Sequence, residues 1–386
     1  MKIIQVGIFP LDTSYIKGGV EASVYGLVRE QAKTDKVYVI DLPRQIFSED
    51  KTELIEEIEV FRYANKRKKN SGIIMRIYSI FKKIKQIKPD ICHIHGTSPF
   101  NFLLLSLLKL NKIKTIITVH GLSHIEKRNQ FKNNKTLYLF AKYFFHSFFE
   151  FLILFFVKRV IVDTKYVENE IENYRRQWKI WRKPDCLIIP QGIDKRYFDI
   201  QNNHNTENNI LSVGALNKRK GRLLLLDTMK IVNEKVPEAK LTIIGIKSDE
   251  EYYKEMLEKI NTLHLKDVVT IKTDVYFDEL FEYYLKSTIF ALHSEEESQG
   301  IVFCEAMAAG LPIVATNVGG IPYVVNHNVN GLLSTYLDVD SFANNIIILL
   351  QNKEKRENIS SQNKIDAHKY SWETIKNAVM IEYKKC

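Results

Sequence analysis

The sequence predicts an α/β protein built from two doubly wound parallel sheets in tandem. Three observations predict it: a length of 386 residues, short apolar runs that alternate with segments of helical period, and a restart of this pattern after the polar stretch 199–209. A chain of this length exceeds the size at which one hydrophobic core usually stops growing, so two domains are expected. Apolar runs without alternation are typical of parallel strands that are covered on both faces.

The first sheet is predicted from six apolar runs. They lie at 3–9, 37–42, 91–95, 114–120, 159–164 and 186–190. The pattern begins again with NILSVGAL and continues through AKLTIIGI, VVTIKT, STIFALHS, LPIVAT and GLLST. We therefore expect a second α/β domain of the same kind.

The domain boundaries follow from these patterns. We expect an N-terminal domain at 1–197, a polar and Asn-rich connection at 198–209, and a second domain at 210–365. The last segment, 366–386, has the pattern of an amphipathic helix, which we expect to pack back on the first domain.

Composition and charge narrow the class of protein. With 45% hydrophobic and 26% charged residues the chain should bury a proper core. Four scattered cysteines indicate neither a disulfide framework nor a zinc site, and they favour the reducing cytoplasm. Residues 1–197 hold 35 Lys and Arg against 20 Asp and Glu, whereas 198–386 hold 21 against 26. The basic first half indicates an anionic partner such as nucleic acid, a membrane surface or a phosphorylated substrate.

The segment 73–88 bears on that partner. Its isoleucines fall on one helical face and its basic residues lie elsewhere, which fits a packed helix with a solvated basic face or a helix that faces a membrane. The isoleucines are Ile73, Ile77, Ile80, Ile84 and Ile87, and the basic residues include Lys82, Lys83 and Lys85.

The stretch 137–157 is apolar and nearly long enough to span a bilayer. Lys142, His146 and Glu150 recur every four residues and form, with Ser147, one polar stripe. Spanning is disfavoured because ionisable residues in the middle of a membrane are costly. Two alternatives stay open, namely a helix that lies in a membrane interface and a helix that packs against the sheet.

Candidate binding residues follow the predicted strands. Gly18 and Gly19, in KGGVEAS, precede a helical pattern, where backbone N–H groups can approach an anion, although paired glycines also serve as plain turns. His120, in TVHG, ends a strand, where open α/β sheets bind ligands. His95, in ICHIHG, also ends a strand, and the residues alone do not choose between the two histidines.

The second half contains three more candidate segments. VGALNKRKGR includes Arg219 and Lys220, a cluster that can neutralise a pyrophosphate or form a solvated loop. ESQGIVFCEAM places Glu297 and Glu305 around an apolar helical stretch, and NVGGIP at 317–322 is a further Gly–Gly turn.

These segments together resemble retaining glycosyltransferases of family 4. The stretch HSEEESQGIVFCEAMAAGLPIVATNVGGIPYVVNHNVNGLLS resembles their donor-binding region, and Glu297 and Glu305 match the family's E-x7-E motif in spacing. Further matches are Gly18–Gly19, PDICHIHG, TVHG, IIPQGIDKRYF, KRKG and the SW pair near the C-terminus. The resemblance implies the GT-B fold, with two Rossmann-like domains that face a central cleft.

The resemblance also implies roles for the two glutamates and the histidine. Glu305 would bind the two ribose hydroxyls of a nucleotide, for which a carboxylate is a suitable bidentate acceptor. Glu297 would contact hydroxyls of the transferred sugar. His120 would be the active-site histidine, which gives it precedence over His95.

The remaining donor contacts are also implied by the resemblance. Gln299, Gly300 and Ile301 would begin a helix whose free N–H groups face the donor. Arg219 and Lys220 would hold the pyrophosphate. Gly18 and Gly19 would lie over it from the first domain.

One departure from the family pattern affects the pyrophosphate. Many members have an arginine where this chain has Ala215. Arg219 or Arg222 would replace it, or Lys220 and backbone amides would act alone.

The reaction implied is transfer of a sugar from a nucleotide sugar, with a UDP-sugar expected, to an acceptor hydroxyl with retention of configuration. No metal and no other cofactor is expected, because Lys220 and Arg219 would take the place of a divalent ion. The Asp-x-Asp sequence at Asp338 and Asp340 precedes an apolar helix, and a helix cap is its predicted role.

The expected partners are a nucleotide sugar and a lipid-linked or glycan acceptor, in capsule, O-antigen or lipopolysaccharide biosynthesis. The basic first domain adds peripheral membrane contact on the inner face of the cell membrane of a cytoplasmic protein. Transfer to a soluble acceptor, or a non-catalytic nucleotide-binding protein of the same fold, are the alternatives. Nucleic acid is not expected as a partner, because the basic residues match no recognised nucleic-acid module.

Overall fold

The computed structural model describes residues 1–16, 18–42, 49–63, 71–122, 125, 136–179, 184–200 and 208–386. These residues form two compact units. The first unit comprises Met1–Phe9, Ser23–Pro190 and Ile375–Cys386, and the second comprises Pro10–Ala22 and Gln191–Thr374.

The first unit is built on an eight-stranded sheet of order β3-β4-β2-β1-β5-β6-β7-β8. Its strands are β1 (Lys2–Gly7), β2 (Lys36–Asp41), β3 (Lys51–Ile55), β4 (Ile58–Arg62), β5 (Ile91–His95), β6 (Thr115–Val119), β7 (Arg159–Val162) and β8 (Asp185–Ile188). Every pairing is parallel except that of β3 with β4. The six strands predicted from the apolar runs are confirmed.

The hairpin of β3 and β4 was absent from the sequence prediction. β3 is largely exposed at the sheet edge, so its sequence, KTELI, lacks the apolar run of a central strand. The fully buried Arg62 on β4 anchors the hairpin, because its guanidinium pairs with the buried Asp41 on β2 and donates to Glu53 Oε2 on β3 at 2.5 Å. These polar contacts tie the exposed β3 to the sheet, whereas β4 itself buries Ile58, Val60 and Phe61.

Helices cover this sheet. They are α1 (Gly19–Ala32), α2 (Ser71–Ile87), α3 (Pro99–Leu110), α4 (Leu137–Phe156), α5 (Lys165–Gln177) and, from Ile375 onward, the last helix. On α2 the isoleucines 77, 80 and 84 are buried as predicted, whereas Ile73 is 55% exposed and lies outside the packed face.

Helix α4 turns its polar stripe inward. Glu150 and Ser147 are buried; Thr97 donates to Glu150 Oε1 at 2.5 Å, and the hydroxyl of Tyr174 donates to the carbonyl of Ser147. The helix packs against α3 and contributes Ile153 to the core of the unit. Its exposed face is therefore largely apolar.

Among the described residues, α4 is the one helix long and apolar enough to cross a membrane by length and composition, and 22% of its apolar window is buried. Its large exposed side chains are Leu137, Tyr138, Phe140, Phe144, Phe145, Phe148 and Phe156. Of the two alternatives that stayed open, the inner face packs as a core helix does, while the outer face has the composition of an interfacial helix.

The second unit contains a six-stranded parallel sheet of order β11-β10-β9-β12-β13-β14. Its strands are β9 (Asn209–Val213), β10 (Lys240–Ile244), β11 (Val269–Lys272), β12 (Ile289–Leu292), β13 (Ile313–Thr316) and β14 (Gly331–Ser334). Its helices are α6 (Arg222–Lys235), α7 (Glu250–Thr262), α8 (Phe277–Lys286), α9 (Ile301–Ala308), α10 (Val339–Gln351) and α11 (Lys353–Ala367), and α12 (Trp372–Lys385) follows. Asp338 caps α10 by accepting from the amide of Ser341 at 2.9 Å, as predicted for a helix cap.

Each sheet has a point where the strand order reverses. In the first it lies between β1 and β5, and in the second between β9 and β12. Ligands of open α/β sheets bind outside the carboxyl ends of the strands at such a point. The fold therefore indicates one binding position in each unit.

The unit boundaries differ from those expected from the sequence. The second unit begins at Gln191 rather than at 210, and it also includes Pro10–Ala22. Within that unit the early segment is held by the amide of Phe277, which donates to Ser14 O at 2.9 Å, and by the Tyr15 hydroxyl, which donates to Asp274 at 2.9 Å. Most of the expected connection at 198–209 lies outside the described residues.

The C-terminal residues from Ile375 belong to the first unit, where Tyr383 is buried and Arg159 lies 3.6 Å from Glu382. Just before this segment, Ser371 forms an isolated β-bridge with Ile193 within the second unit. The first unit is thus formed by three segments of the chain and the second by two.

Candidate active site

The candidate site of the second unit lies in the two loops that follow β9 and β12. After β9 the chain forms a short 3-10 helix at Lys218–Lys220, and after β12 it forms the loop 293–300. Two hydrogen bonds join the loops: Glu295 N donates to Arg219 O at 2.8 Å, and the side-chain Nη1 of Arg219 donates to Glu296 O at 3.1 Å. This is the switch point of the sheet, so basic and acidic candidates meet where the fold predicts a ligand.

Lys220 and Glu297 form a buried ion pair at the centre of these loops. The Lys220 ammonium donates to Glu297 Oε1, which also accepts from Ser294 Oγ at 3.0 Å, and Arg219 lies 3.7 Å from Oε2. Burial alone would raise the pKa of Glu297, yet Lys220, Arg219 and the two hydrogen bonds together hold that pKa below its ordinary value. Burial lowers the pKa of Lys220, and Glu297 opposes that shift. Glu297 is therefore an ionised carboxylate at neutral pH.

Glycines allow the site loops to approach one another. Gly221 has φ of 57°, and a Cβ there would lie 1.8 Å from the carbonyl oxygen of His293. A Cβ on Gly319 would lie 2.4 Å from Glu297 O, and one on Gly320 would lie 1.8 Å from Ser298 O. The amide of Gly320 donates to Glu297 O at 2.7 Å. The Gly–Gly turn of NVGGIP thus packs directly against the backbone of the loop that carries Glu297.

Helix α9 begins at Ile301, directly after Gly300, whose φ of 76° is left-handed. A Cβ on Gly300 would also meet Phe303 Cδ2 at 2.6 Å, so glycine is required on two counts. The apolar side chains of the helix, including Phe303 and Met307, are buried in the core of the unit. In the first turn the amide of Phe303 donates to Gly300 O at 2.9 Å, and the positive end of the helix dipole at Ile301 favours an anion or a polar ligand.

Glu305 lies in a different environment on the same helix. Its Oε2 accepts from the hydroxyl of the buried Tyr284 at 2.8 Å, and the hydroxyl of buried Tyr197 also favours its ionised form. Burial raises the pKa of Glu305 to about 7, and these tyrosines offset only part of that shift. Burial and the facing carboxylate in turn raise the pKa values of Tyr284 and Tyr197 well above their ordinary range.

Gln299 has its side chain committed to the loop that opens the second unit. Gln191 N donates to Gln299 Oε1 at 2.7 Å, while Gln299 Nε2 donates to Gln191 O at 3.3 Å and contacts Cys304 Sγ at 3.3 Å. Any contact of Gln299 with the nucleotide sugar would therefore come from its backbone and not from its side-chain amide.

The glycine pair near the N-terminus lies beside this site. A Cβ on Gly19 would lie 3.8 Å from Ile301 Cγ2, whereas one on Gly18 would meet nothing within 4 Å. Gly18 and Gly19 belong to the second unit by their contacts, although the sequence assigned them to the first domain. The structure thus brings Gly19 next to the first turn of α9.

The basic residues near Ala215 have separate roles. Arg222 is fully buried; its Nη2 donates to Gly214 O at 2.7 Å and its Nη1 donates to Ser212 Oγ. Burial lowers the pKa of Arg222 to about 10. Arg219 has 44% of its side chain exposed and lies near Glu297. Of the two arginines considered as replacements at Ala215, Arg219 is the one in position to reach a ligand.

His120 follows β6 in the first unit, where its ring lies between two polar groups. Its Nε2 is 3.0 Å from His95 Nδ1, and its Nδ1 is 3.6 Å from Asp163 Oδ1. The rings of His95 and His120 stack with their centroids 5.2 Å apart. The two histidines that the residues alone could not separate are therefore one hydrogen-bonded pair.

Sequence reasoning missed several residues that shape the site. Ser294 and Tyr284 donate to Glu297 and Glu305 respectively, Tyr197 lies near enough to Glu305 to affect its pKa, and Asp163 lies beside His120. Tyr197 is part of IIPQGIDKRYF, one of the matching segments, so a signal existed for it; Tyr284 lies on an ordinary amphipathic helix, α8, and had none. Within the described part of the chain, no group of three or more His, Cys, Asp or Glu side chains is arranged to hold a metal ion.

Comparison with protein families gives two adjacent matches. Residues 17–196 match the family described as Glycosyltransferase Family 4, and residues 194–366 match the family described as Glycosyl transferases group 1. Together the two matches run from the early glycine pair to the last turn of α11.

Individual proteins agree with these matches. An uncharacterized glycosyltransferase of Methanocaldococcus jannaschii is 25% identical over 378 residues, which is 97% of this chain and 95% of that protein. The sulfoquinovosyl transferase SQD2 of Arabidopsis thaliana is 26% identical over 76% of this chain and 56% of that protein.

Solved structures share the fold. Sucrose-phosphate synthase from Thermosynechococcus elongatus has a TM-score of 0.80 at 20% identity, with 100% of this chain and 99% of that chain covered. Anabaena HepE in complex with UDP has a TM-score of 0.77 at 18% identity, with both chains fully covered. The chain therefore belongs to the family 4 glycosyltransferases, with two Rossmann-like domains of the GT-B fold.

Proposed function

We propose that the protein transfers a sugar from a UDP-sugar to a hydroxyl of a lipid-linked or membrane-associated glycan, with retention of configuration. The observation that carries the donor half is the contrast between Glu297, paired with Lys220, and Glu305, half-buried among tyrosine hydroxyls without a cation. A nucleotide sugar would bring a diphosphate to the cations beside Glu297 and ribose hydroxyls to Glu305. The HepE structures, which hold UDP and UDP-glucose, support uridine as the base.

In this proposal Glu305 accepts both ribose hydroxyls, because an ionised carboxylate offers two acceptor oxygens to a vicinal diol. Lys220 and Arg219 hold the diphosphate, joined by the first amides of α9. Each of these donors is in place before the sugar bond breaks, so the charge that develops on the leaving diphosphate is stabilised without rearrangement. Gly18 and Gly19 leave room for the donor beside Ile301.

Glu297 is proposed to orient the sugar and not to attack it. Its carboxylate already accepts from Lys220 and Ser294 Oγ, which reduces its nucleophilicity and fixes its direction. The acceptor hydroxyl would attack from the face of the leaving group, and the diphosphate would take its proton. Lys220 and Arg219 are proposed to serve in place of a divalent metal ion.

The outer face of α4 supports a membrane-associated acceptor. The helix is in contact with α3, and α3 is in contact with α2. These two helices also expose apolar side chains, Leu103 and Leu110 on α3 and Met75 and Tyr78 on α2. Lysines are exposed on the same helices or just beyond them, at 82, 85, 109 and 158. Apolar side chains flanked by lysines fit the interface of an anionic bilayer, where each lysine contributes about 1 kcal/mol.

We propose that this surface binds the inner face of the cell membrane during synthesis of a cell-surface glycan such as capsule, O-antigen or lipopolysaccharide. Buried polar groups on the inner side of α4, with Glu150 bonded to Thr97, fix which side faces outward. Transfer to a soluble acceptor is the alternative function, and the exposed aromatic face argues against it.

A screen of nucleotide sugars tests the donor. Thermal unfolding is measured with UDP-, GDP- and ADP-sugars, and slow hydrolysis of each donor is followed in parallel. We expect one UDP-sugar to stabilise the wild-type protein, by about 2.7 kcal/mol at a concentration of a hundred times its Kd, and to have a far smaller effect on Glu305→Ala. No stabilisation across the panel would contradict the proposal. Product stereochemistry by NMR then tests retention.

Vesicle binding tests the membrane surface. The triple variant Phe144→Ser, Phe145→Ser, Phe148→Ser should lose binding to phosphatidylglycerol vesicles, and neutralising Lys82, Lys83 and Lys85 should weaken binding to these anionic vesicles only. The matched control is Leu257→Ser with Ile365→Ser, which removes exposed apolar side chains of the second unit.

Equal binding of the phenylalanine variant and its control would contradict the membrane contact. So would wild-type protein that binds no vesicles but forms a dimer that the phenylalanine variant loses, because α4 would then be a protein interface.

A further inference from the structure

A network of buried polar side chains leads to His120 in the first unit. Its members come from β1, α1, β5, β6 and the last helix, and all are nearly or fully inaccessible to solvent. They are Gln5, Gln31, His93, His95, Thr118 and Tyr383. A buried network of this kind fixes the position of each proton, because every donor must meet an acceptor.

The donor and acceptor roles along the network follow from the side-chain amide of Gln5. Its Nε2 donates to Gln31 Oε1 at 2.8 Å and to the hydroxyl oxygen of Tyr383 at 3.0 Å, so both amide protons are used. Its Oε1, which can only accept, lies 2.8 Å from His95 Nε2. His95 must therefore carry its proton on Nε2 and donate it to Gln5.

The position of the proton on His95 in turn determines which of the two histidines donates in the hydrogen bond between His95 and His120. Burial, with His93 and His120 nearby, lowers the pKa of His95 well below its ordinary value, so its ring is neutral and has one proton. Because that proton is on Nε2, Nδ1 of His95 is an acceptor. The group 3.0 Å from it is Nε2 of His120, which must therefore be the donor.

A second branch of the network closes without reaching His120. The Tyr383 oxygen accepts from Gln5 Nε2 and from Gln31 Nε2 at 3.3 Å, so its own proton goes to His93 Nδ1 at 2.7 Å. His93 then donates from Nε2 to Thr118 Oγ1 at 2.6 Å. Its members are as buried as those of the first branch, and Thr118 at its end provides a control.

We infer that Gln5 and His95 are positioning residues that hold His120 in the form protonated at Nε2, with that proton committed to His95. Nδ1 of His120 then faces Asp163 Oδ1 at 3.6 Å, and the hydrogen bond to His95 fixes the orientation of the ring. A substrate contact made by His120 comes from its backbone or from the Nδ1 edge of its ring, and not from Nε2. The inference rests on the active-site role that the family resemblance implies for His120, while the proton positions follow from the hydrogen-bond geometry and the neutral ring of His95.

The consequence for turnover is specific. Gln5 lies on β1, which pairs with β5 at the switch point of the first sheet. The described hydrogen-bond partners of its side chain are Gln31, Tyr383 and His95, and none of these is proposed to bind the nucleotide. Loss of its acceptor should free His95 to change its protonated nitrogen, and His120 would then lose its fixed hydrogen bond. Catalysis should fall while nucleotide affinity stays unchanged.

The experiment is NMR of the wild-type protein labelled with ¹⁵N-histidine, followed by kinetics of variants. The chain has 10 histidines, and the signals are assigned by single substitutions. We expect both His95 and His120 to show a protonated Nε2. A neutral His120 protonated at Nδ1 would overturn the inference, and this arm needs neither a substitution in the network nor an active enzyme.

The variants compare the two branches. Gln5→Leu should disturb the ring signals of His95 and His120 and lower kcat about tenfold, the effect of one oriented hydrogen bond, with the Kd for UDP unchanged. Gln5→Glu retains an acceptor for His95 and should restore most of kcat. Thr118→Val, on the closed branch, should leave kcat within about twofold of wild type.

Unchanged ring signals and unchanged kcat in folded Gln5→Leu, or equal losses in Gln5→Leu and Thr118→Val, would overturn the inference. Failure of every donor to react would remove the proposed function, yet the wild-type spectrum would still decide the proton positions.

Discussion

Glu297 and Glu305 are the same residue type, eight positions apart, and the second unit places them in opposite electrostatic environments. Glu297 is buried against Lys220, with Arg219 and Ser294 nearby, and its pKa lies below the ordinary value. Glu305 meets tyrosine hydroxyls, and burial raises its pKa to about 7. The first carboxylate is satisfied in the unliganded protein, whereas the second is not.

This difference indicates which part of the nucleotide sugar each glutamate binds. A carboxylate whose burial is incompletely compensated gains most from a ligand that brings hydroxyl donors, which suits the ribose at Glu305. In the unliganded protein, Glu297 and Lys220 stabilise each other's charged forms. In the complex, we expect Lys220 also to contact the diphosphate and Glu297 to contact the sugar. Substitutions of Lys220, Gly320 or Glu305 alter the surroundings of one glutamate at a time.

The largest effect is expected from Lys220→Met. It removes the cation at the diphosphate, and it also leaves Glu297 buried with Arg219 as its remaining cationic neighbour. We expect kcat to fall by about 10²–10³, and stability by about 3 kcal/mol, because one partner of a buried pair is lost. Turnover and thermal unfolding are the measurements.

The double variant Lys220→Met with Glu297→Gln provides the control for stability. It should be more stable than Lys220→Met alone, because no uncompensated carboxylate remains. A double variant no more stable than the single one would mean that the pair is not coupled as the structure indicates.

A smaller loss is expected from Gly320→Ala. The added methyl group would collide with Ser298 O, so the loop that carries Glu297 must move while Glu305 stays in place. A displacement of about 1 Å at a reacting group can cost about a hundredfold in rate, so kcat should fall on that scale with the Kd for UDP nearly unchanged. Gly72→Ala, where nothing lies within 4 Å, is the control and should behave as wild type. A parallel loss of UDP affinity would count against the separation of the two glutamates.

Glu305→Ala should weaken UDP binding about 10- to 100-fold, the range for hydrogen bonds to a charged group. In isothermal titration, uridine should show the same loss as UDP, since the contact is to the ribose. If the loss appeared with UDP but not with uridine, Glu305 would act on the diphosphate and its assigned role would be wrong.

The affinity for UDP should also depend on pH through Glu305. Its ionised form is the acceptor for the ribose, so affinity should fall as pH drops through about 7, by about tenfold between pH 8 and pH 6. The phosphate of UDP takes up a proton in the same range, so Glu305→Gln is the reference that retains only that contribution. Identical pH profiles for the two proteins would exclude this titration.

Much of the fold could be predicted from the sequence, because buried parallel strands leave continuous apolar runs. β3 could not, since an exposed edge strand such as KTELI carries no such run and its hairpin is held by the buried Arg62 instead. The orientation of α4 was also beyond the sequence. A polar stripe normally faces solvent, and only the positions of Thr97 and Tyr174 in space reveal that Ser147 and Glu150 face inward.

The candidate site was predicted in part for a similar reason. The spacing of Glu297 and Glu305 is local, so the sequence contains it. The contacts of Gly320 with Ser298 and of His95 with His120 join segments that are distant along the chain, and no periodicity reports them. Gly19 was assigned to the other domain because chain order, and not contact, was the guide.

Proton release on UDP binding tests the contrast between the two glutamates most directly. Titration calorimetry at pH 7 in buffers of different ionisation enthalpy measures the number of protons released. If ribose hydroxyls lower the pKa of Glu305 on binding, the wild-type protein should release about half a proton more than Glu305→Gln, and Glu297→Gln should release as much as wild type. Equal release by wild type and Glu305→Gln, or a loss of release in Glu297→Gln, would contradict the account.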